Sequence, residues 1–247
     1  MAFSSIKSNW IGFIGGMRPL LGLCVLALCG LVSTVEARTV EFKGLAYDLK
    51  TGKLLYTEIH REVWAAGAPR SSRVSYVDPA GKVFARKQVD FAPGRLSPNF
   101  RMVDTRVGME ESATRRGGKI EVFGRVRAGR PDKRASLPAA NPPVIDVGFH
   151  YFILNNWRRL LSGERVSFLF LVPLRAGPYR FHIRKVATDA KTVTLRMSIA
   201  NPALALITSH VDVIYAKASR RILEYRGISN VKRAGSGNYR ARIVYRY

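Results

Sequence analysis

The sequence predicts a mainly β protein: a curved antiparallel sheet or half-barrel, with one central amphipathic helix at about 146–162 packed on its concave side. Three observations carry that prediction. Many short runs alternate apolar and polar residues with a period of two, the mark of half-buried strands. Gly, Pro, Asn and Asp fall between those runs, where hairpins turn. One stretch alone, from Phe149 to Leu161, has helical spacing, and an almost wholly apolar strand-like run follows it.

Residues 1–37 read as a secretory signal peptide. Lys7 and Arg18 give a positive n-region, and Pro19 to Val32 is an apolar run of fourteen residues. A membrane span needs about 20. Val35-Glu36-Ala37 places small residues where a signal peptidase reads them, so cleavage is expected after Ala37 with Arg38 as the new N-terminus. Both cysteines, Cys24 and Cys29, lie inside that segment. The remaining chain therefore has no disulfide and no thiolate metal site, and its core alone must hold it together. Residues 38–247 are long enough for one β-rich domain. The expected location is the periplasm or the medium, with no transmembrane helix after the signal.

Thr39 to Leu49 and Leu54 to Trp64 form the first expected hairpin, around Lys50-Thr51-Gly52-Lys53. Arg73 to Asp78 and Val83 to Phe91 form a second, around Pro79-Ala80-Gly81-Lys82. Lys119 to Val126 is a further strand. Arg127 to Pro143, basic and rich in Ala and Pro, reads as an exposed connection to the helix. Asp146 is the expected N-cap, because its carboxylate can accept the free N–H groups of a first turn. Gly163 suits the left-handed residue that ends a helix, and Arg158 and Arg159 sit in the last turn, where positive charge is favoured. The apolar strand at Phe168 to Val172 is expected to be covered on both faces. Five more strands follow, at Tyr179 to Ala187, Thr192 to Ala200, His210 to Ala216, Arg221 to Arg226 and Tyr239 to Tyr247.

Several chemistries lack their residue patterns. The four histidines, His60, His150, His182 and His210, show no HExxH and no helical metal-pair spacing, and structural roles are expected for them. There is no GxSxG elbow and no phosphate-binding loop; Gly235-Ser236-Gly237-Asn238 reads as a turn. Glu110-Glu111 is the only adjacent carboxylate pair after the signal, and neighbours on a strand point to opposite faces. No cofactor and no metal are expected, and catalysis is not the favoured reading.

The chain has 41 Lys and Arg against 17 Asp and Glu, a net charge of +24. Arginine dominates, and its planar fork suits phosphate. Past a signal peptide the partners this charge suits are anionic lipids and acidic envelope polymers rather than nucleic acid. The candidate apolar-ligand pocket is the helix stripe and the strand after it: Phe149, Phe152, Ile153, Trp157, Phe168 and Phe170. Arg158 and Arg159 are the candidate contacts to an anionic surface. The protein partner, if any, is not legible.

The phrases "VIDVGFHYFILNNWRRLLSGERVSFLFLVP" and "VIYAKASRRILEYRGISN" resemble a group of uncharacterised exported proteins of Gram-negative bacteria. The order of elements also resembles, more distantly, the half-barrels of periplasmic lipoprotein carriers, which hold acyl chains between a concave sheet and covering helices. These resemblances imply an exported binding protein of the cell envelope for a lipid or other apolar ligand. Two alternatives stand beside it. One is a hydrolase acting on envelope polymers, which a cleft with a carboxylate and a histidine in contact would favour. The other is a small outer-membrane β-barrel, suggested by the strict alternation of Tyr239 to Tyr247. Against the barrel, Arg61, Lys87 and Arg184 are expected on faces that lipid would have to cover.

Overall fold

The computed structural model describes residues 36–201, 210–235 and 237–247; the expected signal peptide lies outside them except for Glu36 and Ala37. Among the described residues, fourteen strands form one antiparallel sheet. The first eight are β1 (Arg38–Asp48), β2 (Leu54–Ala65), β3 (Ala68–Val77), β4 (Val83–Asp90), β5 (Asn99–Asp104), β6 (Met109–Arg116), β7 (Lys119–Arg125) and β8 (Lys133–Pro138). Two short helices follow, α1 (Gly148–Asn155) and α2 (Trp157–Leu161). The chain then runs through β9 (Val166–Val172), β10 (Gly177–Thr188), β11 (Thr192–Ile199), β12 (Val211–Ala216), β13 (Ile222–Lys232) and β14 (Asn238–Arg246).

The spatial order is β8-β7-β6-β5-β4-β3-β2-β1-β14-β13-β12-β11-β10-β9. Two meanders are thus joined where β1 pairs with β14, Lys43 opposite Arg246 through Asp48 opposite Ala241. The helices carry the chain from one outer edge, β8, to the other, β9. Those edges do not pair with each other, so the sheet is not closed.

Local chemistry sets the hairpins. Asp48 Oδ1 accepts the backbone N–H groups of Lys50 and Thr51, and Asp78 Oδ1 those of Ala80 and Lys82. Asp189 does the same for Lys191 and Thr192. A short carboxylate bonding its own backbone ahead is a built-in turn, and it explains why Asp recurs between the alternating runs.

Close approaches bring the edge elements over the sheet. A single 3-10 turn at Pro173–Arg175 lies against β7, where a Cβ on Gly124 would collide with the Pro173 carbonyl. A Cβ on Gly148 would collide with the Leu96 carbonyl, so α1 can start where it does only because residue 148 has no side chain. Val144 bridges to β9, with Val144 N–H donating to the Leu169 carbonyl at 2.8 Å and Leu171 N–H to Val144 at 2.9 Å.

Four expectations need correction. The helix is interrupted at Asn156, whose side-chain amide donates to the Phe152 carbonyl at 2.9 Å. Asp146 is not its N-cap: Val147 holds that position without a side-chain bond, and the Asp146 carboxylate is occupied elsewhere. The connection at 127–143 contains β8, an edge strand pairing with β7; its Lys-Arg start and Pro138 are what an edge strand carries. Finally, β9 is not covered on both faces. It is the other edge strand, and Leu169 on it is 39% exposed. Gly163 does end α2, at φ +97°.

The core has two parts. Tyr56, Tyr76, Met102, Met109 and Ile120 are buried beneath the first meander, and Ile183, Leu195, Val213 and Tyr215 beneath the second. The helices sit between them on the concave side: Tyr151 packs into the first part, and Ile153, Trp157 and Leu160 into the second.

Candidate functional site: a lumen with one apolar wall and one charged wall

The register of the first meander aligns two inward-facing rows. His60 stands opposite Val74, Val74 opposite Lys87, Lys87 opposite Met102, and Met102 opposite Glu111. Two residues along each strand, and so on the same face, Glu58 stands opposite Tyr76, Tyr76 opposite Ala85, and Ala85 opposite Asp104. Directly opposed residues share a face of the sheet. The face is the buried one, since Val74, Tyr76, Ala85 and Met102 have 2% exposure or less. Lys87, Glu58, Asp104 and Glu111 therefore point into the protein, with exposures of 8% or less. Lys87 was expected on an outer face; its parity with Ala85 and Val89 places it inside.

Asp146 answers Lys87 from across the lumen. Nζ lies 2.9 Å from Asp146 Oδ1 and 3.1 Å from Oδ2. Asp146 has φ +46°, a left-handed conformation that costs most residues energy and that Asp tolerates better. The Ile145 N–H bond to Leu96 and the Phe149 N–H bond to the Asp146 carbonyl hold this kink on both sides. Burial disfavours the Lys87 ammonium, but Asp146, with Tyr76 and Glu58, outweighs it and holds the pKa above the ordinary lysine range.

Glu111 has no such partner. Among the described residues no side chain hydrogen-bonds its carboxyl. Burial, reinforced by the negative charge of Asp146, pushes its pKa up to about 7 against the opposing pull of Lys87 and Lys232. Burial lowers the pKa of Lys232, and its ammonium donates to Asn238 Oδ1 at 2.8 Å. Glu58 Oε2 lies 3.0 Å from His60 Nε2, and the His60 ring is stacked on Phe42 at 4.3 Å.

The second meander and α1 supply the apolar wall. Phe149, Phe170, Phe181, Met197, Val213 and Tyr225 face the charged rows across a cavity of about 520 Å³. His150 also faces it. Its Nδ1 is 2.9 Å from the Tyr215 hydroxyl, its ring is parallel to the tyrosine ring, and burial drops its pKa to about 4. Near neutral pH the imidazole is uncharged.

No family model matches the chain, and no curated protein does. Among solved structures, the chain is similar to the crystal structure of a β-barrel-like protein of a domain of unknown function, DUF1849, from Brucella abortus. The sequences are 9% identical, the match covers 86% of this chain and 97% of that one, and the TM-score is 0.38. That likeness carries no argument about function.

Of the six residues expected to line an apolar pocket, Phe149 and Phe170 border the cavity. Ile153, Trp157 and Phe168 are buried in the core instead, and Phe152 stacks on Phe168 at 4.4 Å. Arg158 and Arg159 lie on the exposed face of α2, where Arg159 pairs with Glu164. Sequence reasoning missed Lys87, Glu111 and Asp146 as a group. The signal that would have found the first two is parity: each takes an apolar position in its strand, Lys87 between Ala85 and Val89, Glu111 between Met109 and Ala113.

Proposed function

We propose that this protein is an exported, non-catalytic binding protein of the cell envelope that holds a lipid or other largely apolar molecule within its sheet. The observation that carries the reading is the lumen of about 520 Å³ walled by aromatic and aliphatic side chains. Sites for small ligands run from about 300 to 1,000 Å³, mostly apolar with a few converging polar groups. Export is supported by the pattern of residues 1–37, and an anionic envelope surface by the net charge of +24.

At the cavity the hydrolase reading has one observation in its favour, the contact of Glu58 with His60; the approach of His210 to Asp212, at 3.8 Å, lies outside the cavity lining. An acid–base pair of this kind acts by presenting the other ring nitrogen to a nucleophile. Among the described residues no hydroxyl bonds His60, and aromatic rings flank it. For the membrane-barrel reading, the unpaired edges β8 and β9 count against a structure that must satisfy every backbone group in lipid. No helix among the described residues is long and apolar enough to cross a membrane.

Native mass spectrometry of protein purified from its own host is expected to show a co-purified amphipathic molecule. Uptake of the neutral dye Nile red by delipidated protein is expected as well. It should fall strongly in Val213→Trp, which fills the lumen from its apolar wall. A native chain that carries nothing and takes up no dye would overturn the binding reading.

A further inference from the structure

The lumen has the wrong sign for this protein. Over the whole chain, basic residues outnumber acidic ones by more than two to one. Inside, Glu58, Glu111 and Asp146 face the cavity, and among the described residues Lys87 is the only lysine or arginine lining it. Lys87 is matched by Asp146, and Glu58 Oε2 lies 3.0 Å from His60 Nε2. Glu111 is left over, 7% exposed and without a hydrogen-bond partner among the described residues. The charged groups that act on it are Lys87 on β4, Asp146 before α1, and Lys232 on β13, which is itself held by Asn238, while Met102 and Gly124 flank it in the sheet.

We propose, resting on the binding reading above, that the lumen selects amphipathic molecules with a cationic or hydrogen-bond-donating head, and that the Glu111 carboxylate receives that head. Three arguments support this. An unpaired buried carboxylate is costly, and it lowers the stability of the empty protein unless a ligand completes it. A carboxylate accepts hydrogen bonds and repels another anion, so a fatty acid head is the poorer match. The opposite wall is aromatic, with Phe149, Tyr215 and Tyr225 among its rings, and aromatic faces attract cations in a water-poor site. The tail then lies along Phe170, Phe181 and Met197.

The test uses three ligands with one tail, decylamine, decanol and decanoate, below their micelle concentrations. Displacement of Nile red from the delipidated protein is measured at pH ~8.5, where Glu111 is ionised by its pKa of about 7. Decylamine should outcompete decanoate by roughly tenfold or more, the worth of one charge-assisted hydrogen bond, with decanol between them. Attraction to the basic exterior would favour decanoate, so an amine preference must come from the lumen. In Glu111→Gln the amine and the acid should approach each other, while the empty variant unfolds at the same or higher denaturant than the native chain. Equal displacement by all three, or a preference for decanoate, overturns the head-group assignment and leaves the apolar lumen standing. No displacement by any of them overturns both. An amine preference that survives Glu111→Gln removes Glu111 as the receptor. The order in the native chain decides the selectivity even if the variant is recovered poorly.

Discussion

Two buried groups in the lumen make opposite demands on pH. Glu111 holds its proton to about pH 7 in the folded chain, against 4.5 ordinarily. Between those values the folded state binds more protons than the unfolded state, so folding weakens as pH rises, by roughly 3 kcal/mol across the window. His150 takes a proton only near pH 4, against 6.5 ordinarily. There the unfolded state binds the proton first, so folding weakens as pH falls through that window. Its window is as wide as that of Glu111, so its effect is of comparable size. The two nearly cancel in the native chain between pH ~4.5 and ~6.5. Glu111→Gln should therefore become more acid-sensitive than the native protein and more stable above pH ~7. His150→Phe, which keeps the stack on Tyr215, should shift the other way. Urea midpoints across pH ~4 to ~8 measure this; three parallel curves would contradict it.

At the scale of elements, the broken helix has two jobs. Its core face fixes it between the meanders, and its first turn presents Phe149 and His150 to the lumen. Trp157 belongs to the first job. It is 5% exposed, its ring meets Tyr215 edge-on at 5.8 Å, and it does not border the cavity. Trp157→Ala should cost about 3–5 kcal/mol in chemical denaturation, as for other buried large aromatics. Dye uptake per folded molecule should change little. A small stability loss with abolished uptake would mean that the helix is a lid over ligand rather than a fixed plug.

At the scale of the whole molecule, a basic exterior surrounds a lumen with an excess of carboxylates. Exposed positive charge acts at long range and is screened by salt, whereas the buried groups are screened far less. The protein should co-sediment with anionic vesicles at low ionic strength and lose most of that binding at physiological salt, since each basic residue near the surface contributes roughly 1 kcal/mol. Equal binding to neutral vesicles would contradict an electrostatic origin. Ligand selection in the lumen should, by contrast, be nearly indifferent to the same change in salt.

The β class, most of the strands, the hairpin turns and the amphipathic stripe of the helix were determined by the sequence alone. These are local properties: a period of two, an aspartate bonding its own turn, and apolar residues at helical spacing. The strands that escaped, β5, β6 and β8, are short or carry runs of charge, such as Glu110-Glu111 and Arg115-Arg116, that mask alternation. Only the tertiary structure decided the pairing of β1 with β14, the placing of the apolar strand β9 at an edge, and the meeting of Lys87 with Asp146, 59 residues apart. Parity along a strand says which side chains point inward, but register and curvature decide which inward side chains meet. Among the described residues Glu111 is unpaired for the same reason: its position was legible, and the absence of a counterpart across the lumen was not.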